Sequence, residues 1–221
     1  MEKFEKTVYN RRMAKNYQKE FEKIVSGFSG EKPKLLLHVC CAPCASHSLT
    51  VAVKYFDVTV FYYNPNITSR AEYEERKAEV KRLLSEMPEA AGVKFSEGKW
   101  DTERFLRLAN GLEEEPEGGK RCKACYALRL SAAVQEAEDG GFDFVTTTLT
   151  ISPLKSAETL NEIGFKLAEK TKVKWLPSDF KKNGGYAHSV ELSKEYNLYR
   201  QNYCGCEYGK INQNKDFGGK I

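Results

Sequence analysis

The sequence has no apolar run approaching the roughly 18 to 20 residues that a membrane-spanning helix requires. Its first residues, "MEKFEKTVYNRRMAKNYQKEF", are charged and helix-periodic with no apolar h-region, so they do not read as a signal peptide. Net charge is scarce too: 35 Lys and Arg against 31 Asp and Glu leave +4, and the whole-chain charge names no partner. A local basic patch would still suffice to hold a phosphate backbone. Internal repeats, low-complexity tracts and dividing linkers are missing, and 221 residues suit one α/β domain spanning 1–221. A cytoplasmic, reducing location is expected, where an odd count of seven cysteines makes a poor disulfide framework.

What the chain does have is alternation. A helix is expected over Tyr9–Val25, with Met13, Tyr17, Phe21 and Ile24 on one face. "KPKLLLHV" is a short continuous apolar run, as a strand buried on both faces should be. "SHSLTVAVKYF" reads as a helix with Ser46 as its N-cap, "DVTVFYYNPN" as a strand ending in a turn, and "SRAEYEERKAEVKRLLSEM" as a helix. The strand "GVKFSEGKW" follows, then the helix "DTERFLRLANGL" capped by Asp101, then a glycine-rich loop entering the helix that carries "RCKAC". "FDFVTTTLT", "SAETLNEIGFKLAEKT", "VKWLPSDF" and a C-terminal helical region complete the series. The order β-α-β-α-β-α-α-β-α-β-α predicts a doubly wound, mostly parallel, Rossmann-like sheet. Ligands of such sheets bind beyond the carboxyl ends of the strands.

All seven cysteines fall in three tight groups, and none is left over in a core position. Cys40, Cys41 and Cys44 follow the first strand, Cys122 and Cys125 enter a helix, and Cys204 and Cys206 stand near the C-terminus. Thiolates at a helix N-terminus are favoured by free amides and the helix dipole. Two C-x-x-C pairs, Cys41/Cys44 and Cys122/Cys125, are able to make a four-thiolate zinc site, which leaves three cysteines without work. An iron–sulfur cluster accepts thiolates from scattered segments, so four ligands drawn from the first two groups would fill a 4Fe–4S cluster. The remaining thiols would hold a second metal or cycle as a dithiol. A Cys204–Cys206 disulfide closes a small ring, and strain of that kind makes a disulfide easily reduced.

Other polar groups are expected on the same edge. Asp179, after the last strand, is a candidate iron ligand or acid, with a helix cap or turn as the competing reading. Thr146, Thr147, Thr148, Ser152 and Lys155 follow the fourth strand and suit a phosphate, although capping explains them almost as well. Asn64 and Asn66 flank Pro65 at another strand end, and His38 reads as a satisfied core histidine. Arg11, Arg12 and Lys15 on the first helix read first as a solvated face.

Together "HVCCAPC", "YYNPNI", "DTERF…GLEEEPEGGKRCKAC", "TTTLTISP", "SDFKKNGGY" and "YRQNYCGC" resemble the epoxyqueuosine reductases of the QueH type. The resemblance runs from Asn16 to about Cys206. It implies a cobalamin-independent enzyme that removes the epoxide oxygen of epoxyqueuosine at the tRNA wobble position. It further implies a 4Fe–4S cluster, an additional iron beside it, and an external electron donor. By position, Cys40, Cys41, Cys122 and Cys125 are the expected cluster ligands. Cys204 and Cys206 match a pair that is either redox-active or bound to the extra iron, and Cys44 belongs to one set or the other. Asp179 and all seven cysteines are thus the candidate metal and catalytic residues.

The architecture also resembles the PP-loop enzymes that modify tRNA. Their glycine-paired loop after the first strand is replaced here by Cys-Cys-Ala-Pro-Cys, so no ATP is expected. An anticodon loop offers unstacked bases, for which Tyr62, Tyr63, Tyr186, Tyr199 and Tyr203 are stacking candidates. Two rivals stand beside this reading: a four-cysteine zinc module that binds RNA without catalysis, and a metal-free thiol–disulfide oxidoreductase.

Overall fold

A computed structural model describes residues 15–209. Five strands form one wholly parallel sheet in the order β3-β2-β1-β4-β5. They are β1 (Lys34–His38), β2 (Asp57–Tyr62), β3 (Lys94–Glu97), β4 (Phe144–Thr147) and β5 (Lys174–Trp175). The helices are α1 (Tyr17–Val25), α2 (Ala42–Ala52), α3 (Arg70–Glu86), α4 (Thr102–Ala109), α5 (Lys120–Asp139), α6 (Ala157–Ala168) and α7 (Gly185–Glu195). After α1, the element order is the one the hydropathy alternation predicts. Parallel strands need crossovers, and each crossover puts a helix on one face of the sheet.

Strand β1 shows why both faces are filled. Leu35 and Leu37 enter the core beneath α2 and α3, with Val58, Val60, Leu49 and Leu83. Leu36 points the other way, into a core with Leu130, Val134, Val145, Leu160 and Trp175 beneath α5 and α6. All three leucines are completely buried, each contributing roughly 1.5–3 kcal/mol of apolar burial. A third small cluster joins Phe105 and Ala109 of α4 to Cys125, Leu128 and Cys206.

Three boundaries differ from expectation. Helix α1 begins at Tyr17, where Asn16 caps it by accepting from the Lys19 amide at 3.0 Å. Met13, Arg11 and Arg12 lie outside the described residues. Helix α2 starts at Ala42 with Cys41 at the N-cap position, and Ser46 is buried within it. The Ser46 hydroxyl donates to the Pro43 carbonyl at 3.0 Å, so it back-bonds inside the first turn and caps nothing. Strand β5 covers only Lys174–Trp175; one further bond, from the Leu176 amide to the Val145 carbonyl, precedes Pro177, which has no N–H to continue the ladder.

Strands β2 and β3 lie to one side of β1, and β4 and β5 to the other. The chain therefore reverses its winding between β1 and β4. A crevice opens at such a switch point beyond the carboxyl ends of the two strands, and Cys40 emerges there.

Candidate metal centre

Three chain segments bring sulfur to this crevice. Cys41 sits at the N-cap of α2 and Cys44 in its first turn, so both face the amide end of a helix. Cys122 and Cys125 occupy the first turns of α5. Cys204 and Cys206 lie on the C-terminal loop beyond α7. All seven thiols are free.

The sulfurs form two groups. Those of Cys40, Cys41 and Cys44 lie within 4.8 Å of one another. Cys204 and Cys206 are 3.6 Å apart. Cys40, Cys41, Cys44 and Cys204 line a cleft of about 190 Å³. Cys122, Cys125, Cys204 and Cys206 line a smaller inner cavity. Cys204, Glu117, Arg129 and Lys155 belong to both walls, so the two spaces adjoin.

Hydrogen bonds among the thiols, with cations beside them, set the charge of the sulfurs. Hydrogen bonds from Cys41 and Cys44 hold the Cys40 thiol well below its ordinary value, and the charges of Arg129 and Lys155 add to that. Cys41 is pushed up to about 12 and Cys44 is also raised, because each donates to its neighbour. In the second group the Cys206 hydrogen bond draws Cys204 down to about 6, with help from Lys155, and Cys206 rises in return. Burial raises Cys122, and raises Cys125 to about 11. Each group therefore carries one favoured thiolate, Cys40 in the first and Cys204 in the second.

The supporting polar groups are specific. Arg129 is buried, donates through Nη2 to Asn64 Oδ1 at 2.5 Å, and turns its charge on Cys40, Cys125 and Cys204. Arg76 is 2% exposed; its Nε meets Glu72 at 2.6 Å and its Nη2 donates to the Tyr203 carbonyl at 3.3 Å. Asn66 Nδ2 donates to the Cys204 carbonyl at 3.0 Å. Arg121 Nε and Nη2, Arg129 Nε and Asn66 Oδ1 are buried with no hydrogen-bond partner among the described residues. All three residues line the inner cavity.

Several expected residues lie elsewhere. Asp179 is buried and paired with Lys181 at 2.7 Å, and it is not among the residues lining either space. Asn64 is committed to the Val39 carbonyl and Arg129, and lines neither space. His38 is a core histidine, bonded to Thr147 Oγ1 at 2.8 Å and the Tyr63 carbonyl at 3.1 Å. Thr146 and Thr147 are fully buried, whereas Ser152 and Lys155 line the cleft. Tyr62 and Tyr63 are core packing, and Tyr199 bonds Glu72, which leaves Tyr186 and Tyr203 on the cleft wall. Arg76 and Arg129 carry no motif. Their signal is position: Tyr73-Arg76-Val80 and Cys122-Tyr126-Arg129-Ala133 put each arginine on a buried helical stripe, where a charge needs a partner.

Fold and site together define a Rossmann-like α/β protein whose ligand crevice is lined by thiols in place of a glycine-rich phosphate loop. The chain belongs to the family described as epoxyqueuosine reductase QueH, whose model matches residues 35–212, and it is accordingly an oxidoreductase. The epoxyqueuosine reductase QueH of Staphylococcus epidermidis is 40% identical over 208 residues, which cover 91% of this chain and 87% of that protein. The Streptococcus pyogenes enzyme of the same name is 40% identical over 205 residues, covering 91% of this chain and 80% of its own length. That of Thermotoga maritima is 36% identical over 180 residues, 80% of this chain and 90% of its own length.

Proposed function

We propose that this chain deoxygenates epoxyqueuosine to queuosine at the wobble position of tRNA, using a 4Fe–4S cluster and an adjacent iron held by its cysteines. The observation that carries the reading is the convergence of seven free thiols, from three distant segments, on two adjoining spaces at the switch point. The donor set fits such a group: a triad of sulfurs within 4.8 Å, four more around the inner cavity, and unpartnered buried polar atoms beside them.

Cys40, Cys41, Cys122 and Cys125 would hold the cluster, as the family motifs imply. The sulfur grouping joins Cys44 to Cys40 and Cys41 at that end. Cys204 and Cys206 would serve the second iron or act as a dithiol. When bound, such a centre supplies electrons singly and a Lewis acid for oxygen. Loss of the epoxide oxygen as water takes two electrons, delivered by an external donor, and two protons.

The chain's own residues prepare this chemistry. Hydrogen bonds from neighbouring thiols, helped by Lys155 and, at Cys40, by Arg129, favour Cys40 and Cys204 as thiolates, the ligating form. Arg76 and Asn66 fix the loop that carries Cys204 by its carbonyls. Lys155 and Arg200 place positive charge in the cleft for the RNA backbone. Asp179 acts through Lys181, whose amine donates to the Thr150 carbonyl at 3.1 Å and the Lys155 carbonyl at 3.5 Å, holding the turn that presents Lys155. Among the described residues no helix is long and apolar enough to cross a membrane, and the proposed place of action is the cytoplasm.

Protein purified without oxygen tests the reading. About four acid-labile sulfides and more than four irons per chain are expected, with turnover of epoxyqueuosine-bearing tRNA in the presence of dithionite. Replacing Cys204 and Cys206 together by Ala should abolish turnover. One zinc, no sulfide and RNA binding without turnover would establish the four-cysteine zinc module instead.

A further inference from the structure

Five large apolar side chains are exposed among the described residues: Tyr55, Leu106, Leu154, Phe165 and Tyr186. Two of them, Leu154 at 69% and Tyr186 at 41%, line the thiol cleft. Both are held in place by their backbone. Tyr186 is the second residue of α7, directly after Gly184, at φ +77°, and Gly185, where a Cβ would stand 1.9 Å from the Phe180 carbonyl and 2.5 Å from His47 Nε2. Leu154 rides on the turn Ser152–Lys155, closed by the Lys155 amide on the Ser152 carbonyl at 3.2 Å and tied down by Lys181. The fold thus places an aromatic ring and an aliphatic side chain in solvent, beside a cleft lined by thiols.

Their neighbours name the occupant. Lys155 and Arg200 share the cleft lining with the buried Arg76 and Arg129, and among the described residues Glu117 is the one acidic residue lining it. An aromatic face beside cations is the arrangement that takes a single-stranded nucleotide, the base stacking and the phosphate paired. We infer that Tyr186 and Leu154 form a rim that grips the unstacked base of the wobble nucleotide, leaving the base's epoxide-bearing substituent to reach the thiols. This assignment rests on the tRNA reading above and adds the residues that select an extruded base.

The test is binding of a fluorescent anticodon stem-loop, by anisotropy, at low and high salt. Tyr186→Ala should weaken binding on the order of tenfold, and Tyr186→Phe should bind within about twofold of wild type, because stacking needs the ring and not the hydroxyl. Leu154→Ala, on a separate turn, should weaken it in the same direction and carries the test if Tyr186→Ala does not fold. The loss in Tyr186→Ala should persist at high salt, while that in Arg200→Ala should shrink as its ion pair is screened. Wild-type affinity in both rim variants, with wild type binding well, overturns the rim alone. A wild-type protein that does not bind the stem-loop at all brings down the tRNA reading itself. Unchanged stem-loop binding combined with slower reduction by a protein electron donor would assign the rim to that donor and overturn the inference.

Discussion

Asn66, just past the end of β2, holds the C-terminal thiol loop through one hydrogen bond, its Nδ2 donating to the Cys204 carbonyl at 3.0 Å. The Thr68 amide adds a second bond to the Gly205 carbonyl at 3.4 Å, and Arg76 a third to the Tyr203 carbonyl. Removing the amide as Asn66→Ala should cost about 1–2 kcal/mol in urea unfolding. The same variant, free of metal, should react faster with Ellman's reagent at Cys204. Unchanged thiol kinetics would show that the loop is positioned without Asn66.

Gly205 allows the loop its sharp course. Its φ is +99°, and a Cβ there would meet Ile67 Cγ1 at 2.7 Å and Arg76 Nη1 at 3.3 Å. Gly205→Ala should therefore lose roughly 1–3 kcal/mol of stability from backbone strain alone. Thermal unfolding of the metal-free protein reads the effect.

The Cys204 thiol should alkylate with a midpoint near pH 6 in reduced, metal-free protein, far below the ordinary thiol value of 9. Its main cause is the Cys206 hydrogen bond, so Cys206→Ala should move the midpoint up strongly. Lys155→Met, which removes a smaller contribution, should move it up less. Mass spectrometry of iodoacetamide labelling across pH separates the cases.

His38 predicts a pH dependence of stability. Burial depresses its pKa to about 3 from an ordinary 6.5, so the unfolded chain takes up the proton first. The stability it contributes is whole above pH 6.5 and drains as pH falls towards 3. Between pH 7 and pH 5, wild type should lose about 2 kcal/mol that His38→Gln does not. His47, depressed to about 4 by burial and by the neighbouring His188, titrates in both proteins and cancels from the comparison. Equal losses in the two would disprove the assignment of His38 as a neutral core group.

Much of this architecture was legible because hydropathy reports burial directly. Leu35–Leu37 read as a strand covered on both faces, and Asp101 read as the α4 cap, its Oδ1 accepting from the Arg104 amide at 3.2 Å. Strand order was not legible, since pairing is non-local and the hydropathy of β4 does not say that it lies against β1. The start of α2 was misread because Cys41 makes no side-chain capping bond, whereas Ser46 has a capping side chain and spends it within the helix. The cysteines showed as three sequence groups. That the third joins the second around one cavity depends on the return of a loop whose backbone Asn66, Thr68 and Arg76 hold. Asp179 was expected among the sulfurs because its strand end points there, yet a lysine two residues on claims its carboxylate.

That docked loop gives the order of synthesis a consequence. The first thiols to leave a ribosome are Cys40, Cys41 and Cys44, and the last are Cys204 and Cys206, after every strand has been made. A chain cut short before Cys204 carries the whole sheet and two of the three sulfur groups, yet it lacks Cys204, the one thiol of the wall that both spaces share. A ligand that needs that wall stabilises only finished chains, by mass action on the native state. Occupancy of the crevice would therefore favour a complete molecule over a nearly complete one.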